Sequence, residues 1–433
     1  MVLTIIIAIL AILLMLICIL KFPIIKIGHR EIETFFIPLL IGALILLIFP
    51  IFDKSDLKDI LFSNSKLNPI KILILFISIS FISISLDEAG FFSFLAIKFI
   101  NKFKNSQYKL FFSLYILISI LTIFTSNDIV ILTFTPFIIY FSKRGNINPI
   151  PFLVMEFVAA NTYSMLLPIG NPTNIYLSSI YELSFIKYIK YMIIPTIICG
   201  ITSLLVMLLI FKKELKKEIN VFDNHNNYLK NKFLTIISLL HLSFTTILLV
   251  ISNYIDIEMY IISLSFGISL LIFSIIYSIY KHNKLYALTS LRRLPYTLIP
   301  FILSMFIIIM ALKSYDIFEN ISNLFNKIDN KNIQNITYLT SSTLSCNIIN
   351  NIPMTIAYGS ILELNESTSN IYYTIIGSNI GAILTPVGAL AGIMWIKILK
   401  QNGIKYSFLD FVKNGIIIVV SIIITLTIFI FLI

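Results

Sequence analysis

The chain has 433 residues, of which 58% are hydrophobic and 12% are charged, and its mean hydropathy is +0.96. This balance excludes an ordinary soluble globular domain, in which charged residues make up about a quarter of the chain. The net charge of +11 does not indicate a nucleic-acid partner, because the bases fall mainly in short loops between apolar runs, as the positive-inside rule expects.

Apolar runs long enough to cross a lipid bilayer recur from end to end. A spanning helix needs about 20 apolar residues. The first run lacks a basic start and a small-residue cleavage site, so we interpret it as a retained span rather than a signal peptide. The clearest runs are 2–20, 34–52, 187–211, 233–252, 259–280 and 413–433. They predict an all-α polytopic protein of a bacterial-type cytoplasmic membrane.

The longest polar stretch, 212–232, divides the chain into halves 1–211 and 233–433 and is predicted to be a cytoplasmic linker. Similar residues recur at similar offsets in the two halves, which indicates an internal repeat. The matched positions are Leu86, Asp87 and Glu88 with Leu312 and Lys313, Asn127 with Asn351, and Asn171 with Asn379.

Each half is predicted to hold five full crossings, a re-entrant hairpin and a helix broken by Gly, Pro and Asn. The hairpins are 109–142 and 333–362. Five is an odd number, so the two halves are expected to be inverted repeats with about ten spans in total. Loop charge agrees with this topology, because the loops placed inside carry 23 Lys and Arg and those placed outside carry 9.

Polar interruptions of apolar helices point to a cavity at membrane depth, since non-helical backbone survives there only inside protein or beside water. Four interruptions occur in two matching pairs, an arrangement that inverted-repeat transporters use for a midplane site. They are Ser126–Asp128, Pro168–Asn174, Asn347–Pro353 and Gly377–Gly388.

The amides, hydroxyls and free helix ends at these breaks predict a binding site for a small solute or ion. The alternative is that the same side chains only cap the broken helices. The predicted binding residues are Ser126, Asn127, Asp128, Asn171, Thr173, Asn174, Asn350, Asn351, Ser378 and Asn379.

Four acidic residues fall within predicted spans, where a charge costs about 2.5 to 3.5 kcal/mol on insertion scales. Asp128 at the first tip is the first candidate for carrying a coupling proton or cation, with an N-cap as its alternative role. Asp87 and Glu88 are read equally as pathway residues or as an interfacial ion pair. Glu156 is a further candidate, which could instead face the aqueous rim.

No cofactor, resident metal or catalytic activity is predicted. The four histidines are scattered without metal-ligand spacing, and no nucleotide-binding or nucleophile motif is present. Cys18, Cys199 and Cys346 lie in apolar surroundings and show no disulfide or metal spacing.

At these residues the chain resembles the arsenite permease family, within an ion transporter superfamily that also holds sodium/proton antiporters and sodium-coupled dicarboxylate and citrate carriers. The resemblance covers nearly the whole chain, and its most specific segment ends in Trp395. The matching segments are LDEAGFF (86–92), NDIVILTFTPF (127–137), ANTYSMLLPIGNPTNIYL (160–177), NNIPM (350–354) and SNIGAILTPVGALAGIMW (378–395).

The chain departs from its relatives at two places. Gly170 and Asn171 stand where such permeases tend to have Ser-Asn, and neither tip has the Ser-Asn-Thr of the dicarboxylate carriers. Asp128 would repel a dicarboxylate by about 4 kcal/mol at 4 Å and an effective dielectric near 20. Arsenite is largely an uncharged trihydroxide near neutral pH, which suits amide and hydroxyl ligands.

The resemblance implies a secondary transporter that moves arsenite or antimonite outward in exchange for protons, with Asp128 as the coupling group. A sodium- or proton-coupled citrate or dicarboxylate carrier and a sodium/proton antiporter are the alternatives on the same scaffold. A passive channel is the alternative from another class. Expected partners are the solute, a proton or sodium ion and the bilayer, with a homodimer and an accessory ATPase as further possibilities.

Overall fold

The fold was described from a computed structural model. It covers residues 2–22, 24–27, 30–48, 68–103, 106–219, 229–252, 255, 257–280, 286–363 and 367–432. The central part of the predicted linker, 220–228, lies outside the described residues.

The described residues of the first half form ten helices and a short β-ribbon. A break of two 3₁₀ turns, Ser164–Leu166 and Pro168–Gly170, separates α7 from α8. The elements are α1 (Val2–Lys21), β1 (Ile24–Ile27), β2 (Arg30–Glu33), α2 (Phe36–Ile48), α3 (Pro69–Glu88), α4 (Phe91–Phe103), α5 (Gln107–Phe124), α6 (Asn127–Gly145), α7 (Ile150–Tyr163), α8 (Pro172–Ile180), α9 (Phe185–Ile210) and α10 (Lys212–Leu215).

The second half is helical throughout its described residues. One 3₁₀ turn, Pro386–Gly388, separates α18 from α19. The elements are α11 (Lys232–Ile251), α12 (Met259–Tyr280), α13 (Tyr286–Arg292), α14 (Leu298–Lys313), α15 (Ile317–Asn326), α16 (Lys331–Ile349), α17 (Asn351–Leu362), α18 (Thr368–Gly381), α19 (Leu390–Gln401) and α20 (Phe408–Leu432).

The prediction of a polytopic helical membrane protein is confirmed. Seven described helices are long and apolar enough to cross a bilayer, or eight if α14 and α15, which meet at a 73° bend, form one span. The antiparallel β-ribbon of β1 and β2 was not predicted and adds a small non-helical element. The inverted orientation of the halves stays a prediction.

Burial separates the helices into a central group and a lipid-facing group. Helices α7, α8, α17 and α18 are buried along almost their whole length. Helices such as α1, α9 and α20 expose rows of Leu and Ile on one side, as expected for surfaces in contact with lipid. The halves are interleaved, because α2 packs on α14, α3 on α12 and α9 on α20.

Ring contacts support the two predicted hairpins. Phe152 lies 5.9 Å from Phe111 near the start of α5 and 5.5 Å from Phe141 near the end of α6, so the far ends of these two helices lie close together. In the second hairpin, the Tyr338 and Tyr358 rings of α16 and α17 are 6.4 Å apart. Both pairs of helices therefore fold back on themselves at the polar tips.

Polar contacts join segments that loop charge predicts to be cytoplasmic, namely the loops 143–144, 281–293 and 396–413 and the end of α3. Arg293 pairs with Asp87 at 2.7 Å and Glu88 at 2.5 Å. Lys143 donates to the Asn402 carbonyl at 2.9 Å. Each contact joins residues assigned to the same face of the membrane.

Contacts on the opposite side agree with the same topology. Lys71 pairs with Glu258 at 2.7 Å, and Lys313 pairs with Glu363. Tyr181 also donates to the Gly359 carbonyl at 2.6 Å, which holds α17 against the first half. These contacts join segments that the prediction assigns to the same outer face.

Candidate functional site

The first tip places a hydroxyl and a carboxyl at the start of α6. Ser126 is the N-cap residue, and its buried hydroxyl has no hydrogen-bond partner among the described atoms. The Asn127 side chain accepts from the Asp128 N–H at 2.9 Å and donates to Asn161 at 3.2 Å. Asp128 lies within the first turn of α6 and is half-buried. The N-cap interpretation of Asp128 is therefore wrong.

The first broken helix is tied to the second half by Asn379. Its side-chain oxygen accepts from the Ser164 hydroxyl and the Asn171 amide, both at 3.0 Å. Its side-chain nitrogen donates to the Asn174 amide oxygen at 2.7 Å. All four residues are buried. We call these residues, together with Thr173 and Ser378, the central polar network.

Thr173 and Ser378 extend the central polar network. The Ser378 hydroxyl donates to the Thr173 hydroxyl at 3.2 Å, and both side chains are buried. Asn171 is also the N-cap of α8, where its side chain accepts from the Thr173 N–H at 3.3 Å. These residues therefore cap broken ends and also join the two halves, so the two alternatives read from the sequence are not exclusive.

The second tip is organised by Asn347 and Asn350. Asn350 has a positive φ of 72° and donates to the Val387 carbonyl at 2.9 Å. The Asn347 amide donates to the Gly381 carbonyl at 3.0 Å and accepts from the Thr385 hydroxyl at 2.6 Å. Asn351, a predicted binding residue, is buried at the start of α17. The second tip is thus fastened to the break between α18 and α19.

Close backbone approach requires glycine at both breaks. A Cβ on Gly170 would lie 2.1 Å from the Ser164 carbonyl oxygen. A Cβ on Gly388 would lie 2.8 Å from the Asn347 side chain and 2.9 Å from the Gly381 carbonyl oxygen. Since backbone atoms cannot move aside cheaply, the two Pro-X-Gly turns have no room for a side chain.

The structure corrects one of the residue matches between the two halves and agrees with another. The 3₁₀ turns Pro168–Gly170 and Pro386–Gly388 occupy matching places. Counted from these turns, Asn379 near the end of α18 corresponds to Asn161 near the end of α7 and not to Asn171. Asn127 and Asn351 each begin the helix that follows a tip, so that correspondence agrees with the structure. The break predicted at Gly377–Gly388 is also shorter, because α18 continues to Gly381.

A cavity of about 940 Å³ opens beside the first tip. Ser126 and Asp128 lie in its lining together with Val387 from the second break. Ser80 and Ile84 of α3 contribute to another wall. The basic residues of the lining come from three loops assigned to the cytoplasmic side: Lys21, Arg292, Arg293, Lys397 and Lys400. The cavity therefore connects the first tip with the face that loop charge predicts to be cytoplasmic.

The structure divides the predicted binding residues into two groups. Ser126 and Asp128 line the cavity. The remaining eight are buried and do not line it, and most are held in the hydrogen bonds described above. They are Asn127, Asn171, Thr173, Asn174, Asn350, Asn351, Ser378 and Asn379.

The other acidic candidates have separate surroundings. Asp87 and Glu88 form the ion pair with Arg293 at the cytoplasmic end of α3, as one of their two interpretations expected. Glu156 is fully buried in α7 and does not face an aqueous rim. Both of its carboxyl oxygens lie near the Thr135 hydroxyl, at 2.9 and 3.1 Å.

Sequence reasoning missed several residues of the site. Asn161, Ser164, Asn347 and Thr385 each make a contact that holds a tip or a break in place. All four lie in or beside the polar interruptions, and that position was the available signal. Among the described residues, no group of three His, Cys, Asp or Glu side chains could hold a metal ion.

Comparison with known proteins gives consistent matches. The family model CitMHS, described as citrate transporter, matches residues 1–369. The "Putative arsenical pump membrane protein" of Bacillus subtilis is 27% identical over 415 residues, covering 90% of this chain and 93% of the relative. The "Arsenical pump membrane protein" of Yersinia enterocolitica is 26% identical over 365 residues, covering 79% and 81%. These matches confirm the resemblance to the arsenite permeases.

A solved structure has the same fold. The YdaH transporter of Alcanivorax borkumensis aligns over 99% of this chain and 97% of its own with a TM-score of 0.53, at 11% sequence identity. The family and its relatives indicate a membrane carrier rather than an enzyme, with a solute and a coupling ion as its partners. The chain is a multi-pass protein of the cytoplasmic membrane and belongs to the CitMHS citrate transporter family.

Proposed function

We propose that the protein exports arsenite or antimonite from the cytoplasm in exchange for protons. The observation that carries this proposal is the position of Ser126 and Asp128 in the lining of the cytoplasm-facing cavity. The buried Ser126 hydroxyl has no hydrogen-bond partner among the described atoms and could bind a hydroxylated guest once the first tip moves, and Asp128 can hold either a proton or a hydrogen bond to that guest. Relatives named arsenical pump membrane proteins support this solute.

A ligand set of oxygen and amide groups agrees with an uncharged trihydroxide. A three-thiolate arsenic site would need three neighbouring cysteines, and the described residues contain no such group. Cys199 and Cys346 are buried, and neither lines the cavity. Solute recognition would therefore depend on hydrogen bonds.

In this proposal the protein works by alternating access. The cavity is open toward the cytoplasm, while the Lys313–Glu363 pair and the Tyr181–Gly359 contact hold the other side closed. Solute binding and protonation of Asp128 would alternate as the hairpins and broken helices move against the remaining helices. The central polar network would stay together and carry both breaks as one unit.

The proposal is tested in proteoliposomes with Asp128→Asn. Asparagine keeps the shape and a hydrogen-bonding side chain but does not titrate near neutral pH, so we expect arsenite transport to lose its dependence on an imposed pH gradient. Glu319→Gln, an exposed neutralisation in α15, is the matched control and should behave as wild type. Full pH dependence in the Asp128→Asn protein would contradict the assignment.

A sodium-coupled citrate or dicarboxylate carrier is the second candidate, favoured by the family match and by the bases around the cavity mouth. It requires Asp128 to be protonated or paired with sodium, because a carboxylate would repel the anion. Uptake of arsenite, citrate and succinate with proton and sodium gradients imposed separately distinguishes the two. A sodium/proton antiporter would respond to the ions alone, and a passive channel would show no uphill movement.

Two macromolecular partners belong to the same proposal. A homodimer is tested by the mass of the detergent-solubilised protein. An accessory ATPase would dock on the cytoplasmic linker 212–232, and its binding is tested by transport in vesicles with and without ATP.

A further inference from the structure

Glu156 is a carboxyl group that the proposed transport cycle does not use. It lies in α7 with no exposed surface. No described ion pair includes it. A lone ionised carboxylate in such a position is costly, and a buried carboxyl without a cationic partner is normally neutral.

The hydrogen bonds around Thr135 indicate where a proton lies. The Thr135 hydroxyl is 2.6 Å from the Ile131 carbonyl and 2.9 Å from the nearer Glu156 oxygen. A threonine hydroxyl has one hydrogen to donate, and a carbonyl can only accept. If that hydrogen goes to the closer Ile131 oxygen, the second contact needs a hydrogen from Glu156. The carboxyl group is then protonated and donates to the Thr135 oxygen.

Trp395 provides a second observation at the same place. Its indole is 1% exposed, and its N–H lies near the Glu156 carboxyl without reaching the geometry of a hydrogen bond to any described atom. A buried donor without an acceptor is uncommon and costs about 1–3 kcal/mol. An ionised Glu156 would accept from this N–H, and a protonated Glu156 does not need it.

Among the described residues, the surroundings of Glu156 bring it no ion pair. Its carboxyl contacts the Thr135 hydroxyl of α6, and Trp395 of α19 lies nearby. The Trp395 ring packs 5.3 Å from Phe157 and 5.6 Å from Phe411. Glu156 therefore lies where the first hairpin, α7 and the helix after the second break meet.

We propose that Glu156 is a proton-binding site of the transport cycle, occupied by a proton in this cytoplasm-open state. When α6 and α19 move, the proton leaves to water, and the Thr135 hydroxyl and the Trp395 N–H donate to the resulting carboxylate. Glu156 couples proton release to the relative position of the halves without touching the solute. This inference rests on the proposed proton exchange and adds a second proton site to Asp128.

Infrared difference spectroscopy of the purified protein tests the protonation state without requiring transport. The comparison is made in Asp128→Asn, which lacks the other proposed proton site. Its carboxylic-acid C=O band at neutral pH should be lost in Asp128→Asn/Glu156→Gln and retained in the control Asp128→Asn/Glu319→Gln. An undiminished band in Asp128→Asn/Glu156→Gln would overturn the proposal. Because no solute is needed, this result stands even if arsenite proves to be the wrong substrate.

Transport assays then separate coupling from folding. Glu156→Gln should keep solute exchange between equal concentrations and lose accumulation driven by a pH gradient, and accumulation at the wild-type level would overturn the role. If Glu156→Gln does not fold, Trp395→Phe keeps the ring and removes the N–H. The acid band of Trp395→Phe should then titrate at higher pH than in wild type, because the ionised form has lost a donor. An unchanged midpoint would contradict the proposal.

Discussion

The Asn379 side chain makes several of the hydrogen bonds that join the two halves of the chain. Between the halves, its oxygen accepts two hydrogen bonds and its nitrogen donates one, and its nitrogen also donates to the Ile375 carbonyl of its own helix. Amide side chains suit this place because they donate and accept at once. The central polar network between the halves is therefore organised by a residue that has no charge and does not line the cavity.

We expect Asn379→Ala to destabilise the folded protein by about 1–3 kcal/mol, because it leaves buried donors and acceptors unpaired. The lower end of this range agrees with interhelical hydrogen bonds in membranes, which average about 0.6 kcal/mol each. Thermal unfolding in detergent measures the change. The control is Asn323→Ala, on an exposed surface of α15. An equal decrease in unfolding temperature in the two variants would show that the central polar network does not stabilise the fold.

At the scale of elements, the two Pro-X-Gly turns set the path of the chain between the two helices on either side of each break. Their glycines are explained by close backbone approach. The carbonyl of Leu167, just before the first turn, accepts from the Asn174 side chain. The carbonyl of Val387, within the second turn, accepts from the Asn350 side chain. A change in either turn would displace the tip or network fastened to it.

Gly170→Ala and Gly388→Ala should therefore each cost about 1–3 kcal/mol, the usual range for overpacking. The control is Gly267→Ala in α12, where the added Cβ would lie 3.3 Å from the Ser78 side chain and alanine favours the helix. Folded yield and unfolding temperature measure the difference. If Gly170→Ala and Gly388→Ala are as stable as Gly267→Ala, the backbone around the two turns relaxes enough to admit a side chain.

The breaks were predictable from sequence because Gly, Pro and Asn interrupt a helix by local chemistry. The first tip, the second tip and the turn at Pro168 were all located in this way. Their partners were not predictable, because which amide meets which depends on packing between distant helices. The false match of Asn171 with Asn379 arose from aligning by residue type, whereas the repeated Pro-X-Gly turn carries the correspondence. Arg293 was missed because its partners are 206 and 205 positions away, at Asp87 and Glu88.

At the scale of the whole molecule, one cavity reaches the first tip from the side where three basic loops converge. Bases concentrate on the cytoplasmic side of membrane proteins. On the opposite side, Lys313 pairs with Glu363 and Tyr181 donates to the Gly359 carbonyl. If loop charge gives the orientation correctly, the proposed carrier site is accessible from the cytoplasm in this state.

Cysteine labelling tests this orientation. In a chain whose native cysteines are replaced, Met394→Cys, a cavity residue, should react with an impermeant thiol reagent in inside-out vesicles and stay protected in right-side-out vesicles. Leu339→Cys, fully buried in α16, is the control and should react in neither. Labelling of Met394→Cys from the outside alone would reverse the assigned topology.

The bases at the cavity mouth have a further consequence. A cleft with low-dielectric walls focuses the electric field of its charges, so Lys21, Arg292 and Lys400 favour anions at the mouth. Arg293, by contrast, is already paired with two acidic residues, and Glu33 opposes the other bases. An uncharged trihydroxide crosses this field without gain or loss, and it is distinguished from other solutes only where it meets hydroxyl and carboxyl groups. In the proposed carrier, solutes would thus be selected by charge at the cavity mouth and by hydrogen bonding at the first tip.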